Sequence, residues 1–213
     1  KNRIPIITKV VNEERLESIY AFMKKEIEDK KQCYIVFPII EESEKLDLEA
    51  AETGYQNIKG NIFSKYNVGY LHGKMKKNKR DEQMKLFIEG KIDILVSTTV
   101  VEVGIDNPNA TVMMIENAER FGLTQLHQLR GRTGRGTKQS YCILVQRKCT
   151  PIADHRLKVM ENTSNGFKIS DEDLQLRGPG EFFGKRQHGY MKTKIAEISK
   201  DGEIIREARN LAF

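Results

Sequence analysis

The stretch Ile92–Ile115, IDILVSTTVVEVGIDNPNATVMMI, decides how the rest of the chain is read. It holds two short apolar runs, Ile92–Ser97 and Thr111–Ile115. Neither run alternates apolar with polar residues, so each predicts a strand covered on both faces, as in a parallel sheet. Between them lie Thr98 and Thr99 at the carboxyl end of the first strand, then Gly104 and Asp106. Hydroxyls and a carboxylate in such a turn can bond a ribose or a phosphate. Asp106-Asn107-Pro108 is equally a plain turn.

Further runs of the same kind lie on either side, at Ile4–Thr8, Cys33–Phe37, Val68–Leu71 and Tyr141–Val145. Helical spacing separates them. Glu13–Asp29 places Leu16, Ile19, Tyr20, Met23 and Ile27 on one face, and Lys79–Glu89 does so with Met84, Phe87 and Ile88 before Gly90. Strands alternating with helices predict an α/β fold with a mainly parallel sheet. Ligands of such sheets sit at the carboxyl ends of strands, so chemistry is sought in the turns that follow them. Beyond about residue 148 the pattern changes. Ile152–Thr163 predicts one helix, and Ser170–Gln175 a short one with Ser170 as its N-cap. Asp201–Phe213 fits a last helix. This final third has the character of an appendage on the sheet.

Two other stretches carry chemistry. Val68–Leu71 runs into His72-Gly73, followed by Lys74, Lys76, Lys77, Lys79 and Arg80. A helix start with lysines around it suits phosphate, and suits a solvated basic surface equally well. QLHQLRGRTGRG, Gln125–Gly136, read as one helix puts Gln128, Arg132 and Arg135 on one face and Leu126, Leu129 and Thr133 on another. Arg130 falls off the first face. Gly131 and Gly134 remove bulk beside the arginines, so a second surface can approach two guanidinium forks able to chelate phosphate.

Composition agrees with a soluble globular chain. Of 213 residues, 38% are hydrophobic and 31% charged, and the net charge is +6. Residues 1–129 carry 19 Lys+Arg against 20 Asp+Glu, whereas residues 130–213 carry 17 against 10. The basic excess begins at the arginine run, which makes a polyanion such as nucleic acid a fitting partner. Cys33, Cys142 and Cys149 form no CxxC pair and read as free thiols of a reducing compartment. No run approaches the roughly 18 apolar residues of a membrane helix, and the first residues lack the pattern of a signal peptide.

Taken in order, LHG…R, STT…GID and QxxGRxGR resemble motifs IVa, V and VI of superfamily 2 helicases, in their second RecA-like domain. IEESEKLDLEAAE (from Ile40), IENAERFGLTQLHQLRGRTGRG (from Ile115) and DLQLRGPGEFFGKRQHG (from Asp173) resemble one family within it. That family is RecG, whose members remodel branched DNA and stalled forks in recombination and repair. The last segment resembles the translocation motif that RecG shares with the transcription-repair coupling factor Mfd; IEESEKLD and RGPGE fit RecG better.

The resemblance implies a RecA-like domain over residues 1–150, a translocation hairpin and loop over 151–190, and a tail over 191–213. It implies that Arg132 and Arg135 are arginine fingers, and that Gln128, Gly104 and Asp106 face the nucleotide. His72, Gly73, Arg80 and Thr98 would meet DNA, and Arg156, Arg177 and Gln187 would belong to the translocation motif. Arg130 is left out of the finger role. The loop Gln146–Asp154 is shorter than is usual in the family. A bacterial, cytoplasmic, nucleoid-associated location follows by the same implication. The alternatives are an Mfd-like motor domain and a non-enzymatic basic nucleic-acid-binding module.

The sequence contains no Walker A loop, since Gly73-Lys74-Met75, Gly90-Lys91-Ile92 and Gly184-Lys185-Arg186 all lack its Ser or Thr. Asp171–Leu174, DEDL, follows no apolar strand and reads as a helix start. The resemblance therefore places ATP and Mg²⁺ mainly on a preceding RecA-like domain, with a DNA-junction wedge further upstream, and the chain is expected to be the C-terminal part of a larger protein. Alone it is expected to hydrolyse no ATP, and no metal site is expected in it.

Overall fold

The computed structural model describes residues 4–39, 43–98 and 107–177. Six strands form one sheet: β1 (Ile7–Val11), β2 (Gln32–Phe37), β3 (Val68–Leu71), β4 (Ile94–Thr98), β5 (Ala110–Ile115) and β6 (Tyr141–Val145). Their order is β1-β6-β5-β2-β4-β3, and every neighbouring pair is parallel. All six carboxyl ends therefore share one edge, and all six amino ends share the other.

The central strands explain the unbroken apolar runs. Successive side chains of a strand point to opposite faces. Tyr34, Val36, Leu95, Met113, Ile115 and Leu144 join one apolar cluster. Cys33, Ile35, Ile94, Val96, Met114 and Val145 join a second on the other face. Helix α1 (Leu16–Glu28) covers the second face through Met23 and Ile27, and α2 (Glu44–Asn57) leads into a π-turn whose Ile58 joins it. Helices α3 (Lys77–Ile88), α4 (Leu123–Arg130), α5 (Pro151–Asn162) and α6 (Gly166–Arg177) lie on the first face, with Phe87, Leu126, Leu157, Met160 and Ile169 fully buried there. The described part of the C-terminal third thus shares the core of the sheet.

Several boundaries differ from the expectation. β1 begins at Ile7, not Ile4, because pairing with β6 runs from Ile7↔Tyr141 to Val11↔Val145 and Pro5 has no N–H to pair. β4 begins at Ile94, because the Asp93 carboxylate turns back to accept the Asn67 N–H at 2.8 Å. α1 opens with a 3-10 turn at Glu13–Arg15. α5 starts at Pro151, capped by the Thr150 hydroxyl, which accepts the Ala153 N–H. α6 begins at Gly166, so Ser170 lies inside the helix. Asn165 caps it instead, its Oδ1 accepting the Phe167 N–H at 3.0 Å. The tail 191–213 lies outside the described residues.

α2 was not foreseen. It buries only Asp47 and Ala51, which makes no apolar stripe. Its seat depends on Gly54, where a Cβ would come within 2.6 Å of the Phe37 ring.

Candidate nucleotide and nucleic-acid sites

At the carboxyl edge, β3 and β4 end side by side. Their register pairs Leu71 with Ser97, which brings His72 alongside Thr98. Thr98 is 1% exposed. Among the described residues, the buried Thr98 Oγ1 and His72 Nδ1 have no hydrogen-bond partner. An unpartnered buried polar atom costs about 1–3 kcal/mol, so a pair at a strand end marks a place that a ligand could repay. Gly73 follows, then Lys74, which pairs with Glu44 of α2 at 3.2 Å. Arg80 is in the first turns of α3, half-buried, its N–H bonded to Lys76 O. The expected DNA residues His72, Gly73, Arg80 and Thr98 thus follow two adjacent strands.

The same edge carries an ion cluster that sequence reasoning missed. Glu116 follows β5 and is 4% exposed, and Arg147 follows β6. Arg147 Nη2 lies 3.1 Å from Glu116 Oε2, and its Nη1 meets Glu13. The backbone N–H groups of Arg147 and Lys148 donate to Glu119. Burial pushes the Glu116 carboxyl above its ordinary range, against the pull of Arg147. Burial and Glu116 push the Tyr20 hydroxyl up to about 12. No periodic signal marks this cluster, because its members come from three separate turns.

The arginine run departs from the expectation. α4 ends at Arg130, and Gly131 closes it. Arg132 and Thr133 continue as a turn, with N–H groups bonded to Leu129 O and Arg130 O, and Gly134 takes a left-handed φ of 70°. Gln128, Arg132 and Arg135 therefore do not share one helical face. Gln128 is exposed on α4, whereas Arg132 and Arg135 are half-buried on the loop. Arg135 Nε donates to Gly131 O at 3.1 Å. Thr133 and Leu126 are buried, as the spacing implied.

That loop lies at the amino edge, not in a turn following a strand. A Cβ on Gly134 would come within 2.9 Å of Ile6 Cγ1, and one on Gly136 within 2.7 Å of Pro108 O. Gln139 Nε2 donates to Pro5 O. Ile6, Pro108 and Ser140 all precede strands. Arg132 and Arg135 thus sit at the edge of the sheet opposite His72, Gly73 and Thr98. Gly104, Asp106 and Gln187 lie outside the described residues, and Arg177 is the last residue of α6.

Arg130 has its own work. It is 4% exposed, and its Nη1 donates to Met160 O at 2.8 Å and Thr163 O at 2.9 Å. These are carbonyls of the end of α5, which the helix itself leaves unpaired. Arg130 Nη2 lies 3.1 Å from His127 Nδ1. Arginine only donates, so His127 must accept there as a neutral ring. Arg156 of α5 likewise points inward, its Nη1 donating to Phe121 O at 2.6 Å. Arg120 grips Asp47 of α2 through two contacts, 2.7 and 3.0 Å.

A pH dependence follows. Burial, then the Arg130 charge, lowers the His127 pKa from its ordinary 6.5. The unfolded chain takes up this proton first, so stability is full above about 6.5 and falls as pH drops through the window below it. His127→Asn, which keeps an acceptor near Nδ1, should flatten that part of the melting temperature–pH curve. An unchanged acid-side slope would refute the neutral-acceptor role.

Among the described residues no group of three His, Cys, Asp or Glu could hold a metal ion, and no helix is long and apolar enough to cross a membrane. Cys33 and Cys142 are buried, and burial raises both thiols.

Comparison with known proteins matches this geometry. Residues 13–137 match the helicase conserved C-terminal domain. Residues 163–213 match the C-terminal part of domain 3 of the ATP-dependent DNA helicase RecG. The chain is 48% identical to the ATP-dependent DNA helicase RecG of Synechocystis sp. over 99% of its own length and 25% of that protein. It is 47% identical to RecG of Streptococcus pneumoniae over 99% of this chain and 31% of that one. The chain spans about a quarter to a third of the curated relatives it matches. A structure of RecG bound to a three-way DNA junction superposes with a TM-score of 0.74 at 41% identity, covering 96% of this chain and 26% of that one. Domain 2 of the DEAD-box helicase Mss116p shares the fold, with a TM-score of 0.57 at 21% identity over 79% of this chain and 68% of that one.

The parallel sheet with its glycine-broken arginine loop has the RecA-like fold of helicase C-terminal domains, and the chain belongs to the helicase conserved C-terminal domain family. Within that family its similarity is to RecG, and the RecG-specific match over residues 163–213 favours that reading over Mfd and over a non-enzymatic module.

Proposed function

We propose that this chain is the second motor half of a RecG-type ATP-dependent translocase acting on branched DNA at stalled forks and junctions. The observation that carries the reading is the separation of Arg132 and Arg135 from His72, Gly73 and Thr98, on opposite edges of one sheet. On the amino edge, Arg132 and Arg135 reach toward a nucleotide held mainly, with Mg²⁺, by a preceding RecA-like domain. By the family resemblance Gln128, Gly104 and Asp106 serve the same nucleotide, Gly104 and Asp106 lying outside the described residues. On the carboxyl edge, His72, Gly73, Arg80 and Thr98 meet the DNA backbone, where the Thr98 hydroxyl and His72 Nδ1, unpartnered among the described residues, find phosphate or its water shell. Arg156, Arg177 and Gln187 belong to the translocation element, with Arg156 acting as its anchor on the Glu119–Phe121 turn. A wedge domain of the same polypeptide would split the junction. The site of action is the bacterial cytoplasm, at the nucleoid.

The resemblance to RecG bound to a three-way junction supports the branched substrate. The test uses the protein that carries this chain, with ATP turnover followed on forked and on linear duplex DNA. Forked DNA should stimulate more strongly. Thr98→Val should raise the DNA concentration needed for half-maximal stimulation by about tenfold, the cost of one charge-assisted hydrogen bond. Equal stimulation by both DNAs would remove the branched-substrate reading, and an unshifted Thr98→Val curve would remove the DNA contact.

A further inference from the structure

A shallow groove of about 420 Å³ lies beside the carboxyl edge, between α2 and the end of β3. Its walls are Leu48, Glu49, Glu52 and Thr53 from α2, and Tyr70 and His72 from the strand end. The groove has three chemical properties. It is acidic: two carboxylates line it with no lysine or arginine. Glu52 accepts a hydrogen bond from Gln56 at 2.9 Å, and neither carboxylate has a cationic partner within the described residues. It is aromatic: Tyr55 stacks on Tyr70 with centroids 4.6 Å apart and planes at 11°, and Tyr70 lies 5.2 Å from the His72 ring. Leu48 adds an apolar side chain to its lining.

The ladder already binds a cation at its far end, where Lys59 Nζ sits 5.6 Å from the Tyr55 ring centre. Aromatic faces attract cations through their quadrupole, and guanidinium does best because it also stacks flat and forks onto carboxylates. A DNA backbone would be repelled by Glu49 and Glu52. The neighbouring lysines of the β3–α3 turn suit phosphate, but the groove itself has the opposite sign.

We infer that this groove is a docking pocket for an arginine side chain presented by another polypeptide surface, held between the Glu49 and Glu52 carboxylates and the Tyr70–His72 rings. The charge complementarity selects the occupant. Because His72 belongs both to the groove and to the proposed DNA edge, a partner seated here would report on DNA occupancy. The pocket itself stands whether or not the DNA reading does.

The test is a titration of the full protein carrying 3-fluorotyrosine, with the Tyr55 and Tyr70 fluorine signals assigned through Tyr55→Phe and Tyr70→Phe. The probes are acetyl-arginine amide and its uncharged counterpart, acetyl-citrulline amide. Arginine should shift the Tyr70 signal saturably, and citrulline should bind at least about fivefold more weakly. Glu49→Gln with Glu52→Gln should weaken arginine about tenfold, roughly threefold per exposed carboxylate. Equal shifts by arginine and citrulline, or an arginine curve unchanged in the double variant, would overturn the proposal. So would a Tyr70 shift by cytidine in the absence of one by arginine, which would assign the groove to an unpaired base. DNA-stimulated ATPase plays no part in this readout, so its failure and the failure of the translocase reading are separable.

Discussion

Arg135→Ala and Arg132→Ala, each in the protein that carries this chain, should lower DNA-stimulated ATP turnover by about 10³-fold or more, the range for arginine fingers in other nucleotide hydrolases. The melting temperature should stay near that of the parent. Neither arginine is in the buried core, and the Arg135 Nε bond to Gly131 O is an exposed one, so the expected loss of stability is small. Lysine at either place keeps the charge but loses the planar fork, so it should restore only a small part of the rate. The measurement is steady-state turnover with saturating DNA, alongside a thermal melt. Turnover near the parent value in either alanine variant would remove that arginine from the finger role. The loop is held by contacts that leave no room for side chains at Gly134 and Gly136, so the arginines are placed by a stiff support.

Arg130→Ala, two positions before Arg132, should have the opposite signature. It removes the donors to Met160 O and Thr163 O and leaves the end of α5 unpaired beside a cavity. Each orphaned carbonyl costs about 1–3 kcal/mol. A total of about 3 kcal/mol corresponds to a fall of roughly 6–12 °C in melting temperature for a domain of this size. The same substitution frees His127 from its Arg130 contact, so the acid-side loss of stability should shrink with it. A melting temperature within about 2 °C of the parent would show that the α4–α5 junction does not depend on this guanidinium. Three arginines within six residues thus divide by energetics: one holds the fold, and two are proposed for catalysis.

Much of this was legible before any coordinates. β3 and β6 run over the residues their apolar character marked, Val68–Leu71 and Tyr141–Val145. The periodicity that set Arg130 apart from Arg132 and Arg135 was sound, because Arg130 turns inward with Leu126. The same periodicity failed one turn later, where Gly131 ends the helix and the left-handed Gly134 redirects the chain. α2 was illegible because its packing depends on an absent side chain at Gly54 and a buried Asp47 held by Arg120, neither of which makes a repeat. Assigning the arginine loop to the amino edge needed the strand order. A rule that seeks ligands after strands finds His72 and Thr98 and misses a loop that precedes one. His72 and Thr98 become neighbours only through the β3–β4 pairing, which local spacing does not encode.

The two edges of the sheet stand apart by the length of a strand. Five residues at about 3.3 Å each make roughly 16 Å. On the proposed assignment, a triphosphate arriving beside Arg132 makes no direct contact at Thr98. What crosses the distance must be displacement, carried by strands locked into a dense core with few voids to absorb it. On the proposed assignment such a body would act as a lever: added salt would loosen its hold on DNA while leaving the stroke of each cycle unchanged.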